Sequence, residues 1–288
     1  MKIILGDNQF FGVNHFDLKK GEQTKNKFDT IAKIEGFINK AFKTGLDGFM
    51  INSNDLGYKL ISNVSFEKTK EVHYSIPYPH KYANMINETG MLSLGLHVIK
   101  KTSLIKNTLA GCKFLFTRNL KYIIPLILDI EIPKNLIKGS YVYLQNIVTD
   151  LLLGMGREDL IFEYIKSVVE KGYKPGIITL NPVILHGHLK NSDLLDLLGD
   201  LIVCFNINKE GFNVFPNKHS VEELIKSNNQ YKLMGMSIFS SGAGNIPSSI
   251  DYIKTLPLDY VVFGTSKLSN VESNMRLFKN KTPKKTVS

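Results

Sequence analysis

Short runs of apolar and β-branched residues alternate along this chain with longer amphipathic stretches. Such alternation is typical of a parallel sheet covered by helices. Eight runs, each followed by a helical segment, predict a closed (β/α)8 barrel of the α/β class, with an open doubly wound sheet as the alternative. The predicted strands are Lys2–Gly6, Gly48–Asn52, Glu71–Ile76, Tyr141–Gln145, Gly176–Leu180, Leu201–Asn206, Leu233–Phe239 and Tyr260–Phe263.

The predicted helices have recognisable ends. Gly45 and Gly172 follow two of them, Ser192 and Ser220 are candidate N-caps, and Pro247 lies near the start of another. No linker rich in Pro or Ser divides the chain, so we expect one barrel domain over residues 1–278 and a basic tail over residues 279–288. The helical segments are Asn26–Lys43, Asp55–Asn63, Tyr82 to about Lys138, Arg157–Lys171, Ser192–Leu198, Val221–Ser227, Ser248–Thr255 and Val271–Phe278.

The third unit is longer than the others, and we interpret residues 85–138, approximately, as a helical insertion. Lysine and arginine far outnumber acids in this segment, which also contains the apolar run Tyr122–Leu128. A basic amphipathic segment can contact anionic lipid or a partner protein. Helices packed on the barrel with a solvated basic face are the simpler explanation, and we favour them over membrane contact.

The composition is that of an ordinary globular protein, with 43% hydrophobic and 22% charged residues in a chain of 288. The 36 basic residues exceed the 26 acids, giving a formal net charge of +10, which permits anionic partners. The basic residues are spread through many elements and no nucleic-acid-binding motif accompanies them, so we predict no nucleic-acid partner. Cys112 and Cys204 form no disulfide or metal pattern, and no signal peptide is indicated, so we expect a cytoplasmic protein.

Polar side chains follow nearly every predicted strand. In barrels of this type the chemistry lies in the loops after the strands, so these residues predict a binding site for a small polar or phosphorylated molecule. By position, Asp7 is the leading candidate for a general acid or base, with His15 as its candidate partner; an Asx turn is the alternative. The polar residues include Asn8, Gln9, Asn52, Asp55, Tyr78, His80, Lys81, Gln145, Asn146, Asp150, Thr179, Asn181, Asn208, Lys209 and Glu210.

The last two of these loops are rich in glycine and hydroxyl groups. Residues 240–244 (Ser-Ser-Gly-Ala-Gly) follow the seventh strand, and residues 264–267 (Gly-Thr-Ser-Lys) follow the eighth. Glycine lets backbone N–H groups approach phosphate oxygens, and barrels frequently bind phosphate at this pair of loops. The two loops therefore predict a phosphate site, with two tight capped turns as the alternative.

Several segments, in this order along the chain, resemble the aldo-keto reductase superfamily. They are Leu5-Gly6 with Phe11-Gly12, Thr179-Leu180-Asn181, Met236-Ser237 through Ser241-Gly242, and Val262-Phe263-Gly264-Thr265-Ser266 with Val271 and Asn274. The resemblance implies a (β/α)8 barrel and NADP(H) as cofactor. It also implies a set of cofactor-binding residues: Thr179, Asn181, Ser240, Ser241, Gly242, Gly264, Thr265, Ser266 and Asn274.

The catalytic pattern departs from that superfamily. Its reductases carry an Asp at the end of strand two with a Tyr shortly after, a Lys after strand three and a His after strand four. This chain has Asn52, a displaced Lys81 and Gln145-Asn146 at those places. Carbonyl reduction needs a proton donor beside the hydride acceptor. Our candidate catalytic residues are Asp7, Asn52, Asp55, Tyr78, Lys81 and Asn146, of which Asn52 and Asn146 would orient the carbonyl.

The sequence therefore predicts NADP(H)-dependent oxidoreduction of a small polar carbonyl or sugar-like substrate. One alternative is a cofactor-independent sugar-phosphate aldolase or isomerase, in which Lys81, Lys209 or Lys267 would form a Schiff base. Another is a non-catalytic barrel that binds a partner. His15, His186 and His188 lack the spacing of a metal motif, so no metal site is predicted.

Overall fold

The computed structural model describes residues 1–10, 27–64, 66–77 and 119–280. Eight parallel strands form a closed barrel in which each strand pairs with the next and β8 pairs with β1. The predicted (β/α)8 fold is confirmed, and the open doubly wound sheet is wrong. The strands are β1 Lys2–Leu5, β2 Gly48–Asn52, β3 Glu71–Ile76, β4 Tyr141–Leu144, β5 Lys174–Ile178, β6 Ile202–Asn206, β7 Lys232–Met236 and β8 Tyr260–Phe263.

Two strands, β5 and β7, end more than one residue earlier than the apolar runs indicate. β5 stops at Ile178, because the Leu180 N–H binds the carboxylate of Asp150 rather than β6, and the Thr179 hydroxyl binds the same carboxylate. β7 stops at Met236, because Ser237 adopts a positive φ of 57°. Both shifts lengthen the polar loops at the same end of the barrel.

Helices lie between the strands in the described part of the chain. They are α1 Ile31–Phe42, α2 Asp55–Asn63, α3 Ile124–Glu131, α4 Asn146–Gly154, α5 Glu158–Glu170, α6 Pro182–Lys190, α7 Leu195–Leu198, α8 Lys218–Ser227, α9 Ile246–Lys254 and α10 Leu268–Lys279. Short 3-10 turns cover Asn8–Phe10, Leu120–Ile123 and Ser240–Gly242. The sequence pattern predicted α5 but neither α4 nor α6.

Asparagine, rather than serine, caps α6 and α8. The side chain of Asn181 begins α6 by accepting the N–H of Ile184, with Pro182 in the first turn, and α7, which corresponds to the helix predicted from Ser192, begins only at Leu195. Asn217 begins α8 by accepting the N–H of Ser220. The predicted caps at Ser192 and Ser220 are therefore wrong. An Asn side chain ahead of the helix satisfies an N–H that would otherwise have no intrahelical partner.

The interior of the barrel is polar on one side and apolar on the other. His73 on β3 is fully buried, with Nδ1 2.8 Å from the Tyr143 hydroxyl and its ring stacked on Tyr141 at 4.9 Å. Burial lowers the pKa of His73. Gly176 on β5 lies against the Tyr143 ring, where any Cβ would overlap it. On the opposite side the inward side chains are apolar or weakly polar: Ile202, Cys204, Met234 and Val262.

Part of the predicted insertion is described. Residues 119–138 contain the turn Leu120–Ile123 and α3, which packs against α5. Residues 85–118 and 281–288 of the predicted insertion and tail, with Cys112, lie outside the described residues. Among the helices that the structure describes, none has the length and apolar character needed to cross a membrane.

Candidate functional site

Because all eight strands are parallel, the polar residues that follow them meet at one end of the barrel, here called the mouth. At its β1–β4 side, Asp7, Asn52 and Gln145 form a hydrogen-bonded network. Asn52 Nδ2 lies 2.9 Å from each carboxylate oxygen of Asp7, and the Asn52 backbone N–H donates to Asp7 Oδ2 at 2.6 Å. Gln145 Nε2 donates to Asn52 Oδ1. Asn52 therefore links a carboxyl group to a second amide across the barrel mouth.

The carboxyl group of Asp7 is 4% exposed. Burial raises its pKa from 3.8 to about 6, although the hydrogen bonds from Asn52 oppose this rise by favouring the charged form. A carboxyl group that titrates near neutral pH can both give and accept a proton, as acid–base chemistry requires. The structure thus brings together Asp7 and Asn52, two of the predicted catalytic residues.

The first loop is anchored so that Asp7 faces β2. Its Gly6 N–H donates to the Phe263 carbonyl at 2.8 Å, and the Phe10 N–H donates to the Asp7 carbonyl at 2.8 Å. The Phe10 ring is buried against Phe28, at a centroid distance of 4.9 Å. Aromatic packing below the loop and backbone bonds within it hold the carboxyl group in place.

Two further polar groups of the mouth are almost completely buried. Ser75 on β3 is 1% exposed and Gln9 is 8% exposed, and neither Ser75 Oγ nor Gln9 Oε1 has a hydrogen-bond partner among the described residues. Gly264 is the neighbour of Gln9, since a Cβ there would lie 2.6 Å from Oε1. Sequence reasoning missed Ser75, although a polar residue at an inward position near the end of a strand was a usable signal.

The loop after β7 is folded onto itself. Four of its N–H groups, those of residues 240, 242, 243 and 244, donate to carbonyl oxygens of residues 237, 239 and 240 in the same loop. Ser240 and Ser241 have positive φ values of 49° and 57°, and Gly242 has 98°. In this conformation the predicted phosphate-binding donors are used within the loop, because internal bonds satisfy them.

A carboxylate also lies on this loop. The buried Ser240 hydroxyl donates to Glu210 Oε2 at 2.5 Å, and this bond lowers the pKa of Glu210. Glu210 is exposed and comes from the loop after β6. The sequence indicates Glu210 as a polar residue after β6, but its contact with the β7 loop could not be predicted from the sequence. Its negative charge makes that loop less suited to an anion.

The junction of β8 and α10 has the opposite character. Lys267 precedes α10 without a side-chain cap, and the first turn of the helix carries no acid. Lys27 Nζ donates to the Ser266 carbonyl at 2.5 Å, so a second cation lies over the loop. Thr265 Oγ1 accepts the Asn270 side-chain N–H at 3.2 Å, and Asn274 is buried on the inner face of the helix. An uncapped helix N-terminus beside two lysines favours a bound anion.

The predicted residues after β4 and β5 have structural partners. Thr179 Oγ1 donates to Asp150 Oδ1 at 2.6 Å, and Asn181 Oδ1 accepts the N–H of Ile184 as the cap of α6. Asn146 is the first residue of α4, whereas its neighbour Gln145 reaches Asn52. Gln145, rather than the predicted Asn146, is therefore the residue after β4 that contacts Asn52.

The remaining candidates lie apart from this network or outside the described residues. Asp55 is exposed in the first turn of α2, where an acid is favoured by the helix dipole. Tyr78, Lys81, His80 and His15 lie outside the described residues. Within the described ranges, no three His, Cys, Asp or Glu side chains are grouped so that they could hold a metal ion.

Comparison with solved structures identifies proteins of the same architecture. A Pseudomonas aeruginosa protein described as an aldo-keto reductase, PA4992, superposes with a TM-score of 0.56 at 10% identity, over 96% of this chain and 88% of that one. A second P. aeruginosa structure of that description gives a TM-score of 0.54 at 9% identity, with the same coverage. No protein-family model and no curated sequence matches the chain. The resemblance to aldo-keto reductases is thus confirmed at the level of the fold.

Proposed function

We propose that this protein catalyses NADP(H)-linked oxidoreduction of a small polar carbonyl compound. The observation that carries the proposal is the buried Asp7 carboxyl group, whose pKa of about 6 lies close to neutral pH, within a network of amides at the barrel mouth. The aldo-keto reductase fold, with its mouth formed by the carboxyl ends of the strands, supports the same class of reaction.

The cofactor would supply the hydride that is transferred to or from the carbonyl carbon. The β8–α10 junction fits a phosphate group of the nucleotide, because Lys27 and Lys267 lie at the uncapped N-terminus of α10. The β7 loop fits less well, since its N–H groups are used internally and Glu210 adds a negative charge. The nucleotide would therefore be held mainly from the β8 side.

Among the described residues, one group can donate the proton that carbonyl reduction requires, and another can orient the carbonyl. Asp7 exchanges a proton near neutral pH and is our proposed proton donor to the carbonyl oxygen. Gln145 uses one of its two amide N–H bonds on Asn52, which leaves the other to donate to the carbonyl oxygen. Tyr78 and Lys81 remain predicted catalytic residues.

The Schiff-base alternative has less support. An amine becomes nucleophilic near neutral pH when it is desolvated, whereas Lys209 and Lys267 are both exposed. Neither lysine meets the requirement of a sugar-phosphate aldolase of this type, and Lys81, the third candidate, lies outside the described residues.

Titration of the purified protein with NADPH and NADH, followed by fluorescence and thermal shift, tests the proposal. We expect saturable binding, since a ligand of the folded state raises apparent stability. Reversing both charges with Lys27→Glu and Lys267→Glu should weaken NADPH binding by about tenfold or more. Lys166→Glu, on the outer helix α5, is the matched control and should leave affinity unchanged.

Turnover provides the second arm of the test. NADPH oxidation should be measured with a panel of aldehydes and ketones, and Asp7→Asn should lower the rate by about a hundredfold if Asp7 donates the proton. Absence of saturable binding of both nucleotides would refute the proposed function.

A further inference from the structure

The first residues of the eight strands meet at the end of the barrel opposite the mouth, here called the amino end. In barrels of this type, inward side chains from alternate strands form layers of four. The layer at the amino end comes from β1, β3, β5 and β7, and each member lies two residues before an inward position of its strand, such as His73 or Met234. Its members are Lys2, Glu71, Lys174 and Lys232.

Two of these lysines lie over a pair of buried tyrosine rings. Lys2 Nζ is 5.6 Å from the centroid of the Tyr260 ring, and Lys174 Nζ is 5.5 Å from the centroid of the Tyr141 ring. The two tyrosine hydroxyl oxygens are 3.5 Å apart. The two ammonium groups are therefore held around the same small area at the barrel axis.

Carboxylates neutralise only part of the positive charge of this layer. Lys2 Nζ donates to Glu71 Oε1 at 2.5 Å, and Lys232 Nζ donates to Asp200 Oδ1 at 3.2 Å. Lys174 forms no ion pair with any of the described residues. The layer thus keeps an excess of positive charge, and its like charges repel one another.

Lys232 also lines a cavity of about 330 Å³ beside the layer. Partial burial lowers the pKa of Lys232, but Tyr141 and Asp200 raise it by more, so this lysine stays charged. The amides of residues 228–230 line the same cavity. Asp259, which also lines it, already accepts a backbone N–H through Oδ2. The cavity therefore offers an anion a cation and amide donors.

The chemistry of the layer favours a ligand rich in acceptor oxygens. An ammonium group has three donors and no acceptor, so three lysines supply more donors than the neighbouring carboxylates use. Lysine binds phosphate as a point charge, and charge-assisted bonds of this kind are the stronger hydrogen bonds. The side chains of Lys2 and Lys232 are 50% and 32% exposed, so a ligand can reach them from solvent.

We propose that the amino end of the barrel binds a small phosphate-bearing anion between Lys2, Lys174 and Lys232. The site lies at the opposite end of the barrel from Asp7 and from the β8–α10 junction. It is therefore separate from the proposed nucleotide site and does not depend on the proposed function. Because the anion offsets the repulsion among the lysines of the folded barrel, its binding stabilises the fold.

The test is titration of the full chain with inorganic phosphate and pyrophosphate at low salt, without nucleotide, followed by calorimetry and thermal shift. The chain carries Lys27→Glu and Lys267→Glu, which remove the anion site at the mouth. We expect saturable binding and a raised melting temperature. Lys174→Met removes the charge but keeps an unbranched side chain over the Tyr141 ring, and should weaken binding about tenfold. Lys40→Met, at the end of α1 but outside the layer, is the matched control and should leave affinity unchanged.

A second variant keeps the test independent of Lys174. Lys232→Met should weaken the same binding event, because Lys232 lines the cavity. The proposal is overturned if neither anion binds saturably, or if Lys174→Met and Lys232→Met both retain full affinity. It is also overturned if Lys40→Met weakens binding as much as they do.

A last arm identifies the source of the phosphate group. In the chain with wild-type Lys27 and Lys267, Lys174→Met should leave NADPH affinity unchanged, because the nucleotide is proposed to bind at the mouth. An equal loss of NADPH and phosphate binding would contradict a separate site. Phosphate binding at the amino end without any nucleotide binding would refute the proposed oxidoreduction and support the anion site.

Discussion

Two carboxyl groups face the barrel mouth in opposite environments. Asp7 on the β1 side is buried, and burial raises its pKa to about 6. Glu210 on the β7 side is exposed, and the Ser240 hydroxyl lowers its pKa. The same functional group thus has a raised pKa on one side and a lowered pKa on the other. Burial and hydrogen bonding, rather than residue type, decide which of the two it becomes.

The largest difference between the two carboxyl groups should appear in stability. We expect the free energy of unfolding of Asp7→Asn to depend on pH differently from that of the wild type. Because the pKa of Asp7 is raised from 3.8 to about 6 in the folded state, its contribution to stability is complete below pH 3.8 and is lost as the pH rises through about 6. A shift of this size corresponds to about 3 kcal/mol. Between pH 4 and 7, the free energy of unfolding of Asp7→Asn should therefore rise by about that amount relative to the wild type. Urea denaturation across this range measures it, and parallel pH profiles would show that Asp7 resembles an ordinary carboxyl group.

The next effect is smaller and concerns the support of Asp7. Asn52→Ala removes the side-chain N–H bonds to the carboxyl group and the acceptor of Gln145, so we expect a loss of about 2 kcal/mol at pH 7. Asn54→Ala removes the N-cap of α2 and should cost about 1 kcal/mol. Chemical denaturation of both variants gives the comparison. Equal losses would mean that the network adds nothing beyond a helix cap.

The smallest effect is expected at Glu210. Glu210→Gln keeps an acceptor for Ser240 but removes the charge, so stability should change by less than about 0.5 kcal/mol. NADPH affinity should rise severalfold at low salt and less at high salt, because salt screens exposed charges. Glu223→Gln, on an exposed face of α8, is the control. Equal NADPH affinity of Glu210→Gln and wild type at low salt would show that the charge of Glu210 has no effect on nucleotide binding.

The fold could be predicted because its signal is repeated and local. Eight apolar runs at βα spacing are enough to indicate the barrel, and three of them, including Gly48–Asn52, have the predicted bounds. α4 was not predicted, because residues 146–154 are apolar on nearly every side and show little periodicity. Because apolar side chains such as Ile147 and Leu151 are exposed, the helix lacks the amphipathic pattern by which a surface helix is recognised in a sequence.

The site was less predictable, because its properties depend on contacts between distant residues. That Asp7 meets Asn52, 45 residues away, follows from the parallel pairing of β1 with β2. Gln145, rather than Asn146, contacts Asn52, because α4 begins at Asn146. A difference of one residue in the start of this helix would change which side chain makes the contact. The internal bonds of the β7 loop depend on the positive φ of Ser240 and Ser241, which serine rarely adopts.

The contact between Tyr143 and Gly176 has an evolutionary consequence. The two residues share one volume inside the barrel, so a side chain at position 176 requires a smaller residue at 143, and His73 would then lose its hydroxyl partner. Positions 73, 143 and 176 are therefore expected to change together in related sequences. Such concerted replacement would mark descent from this barrel even in chains whose mouth residues have diverged completely.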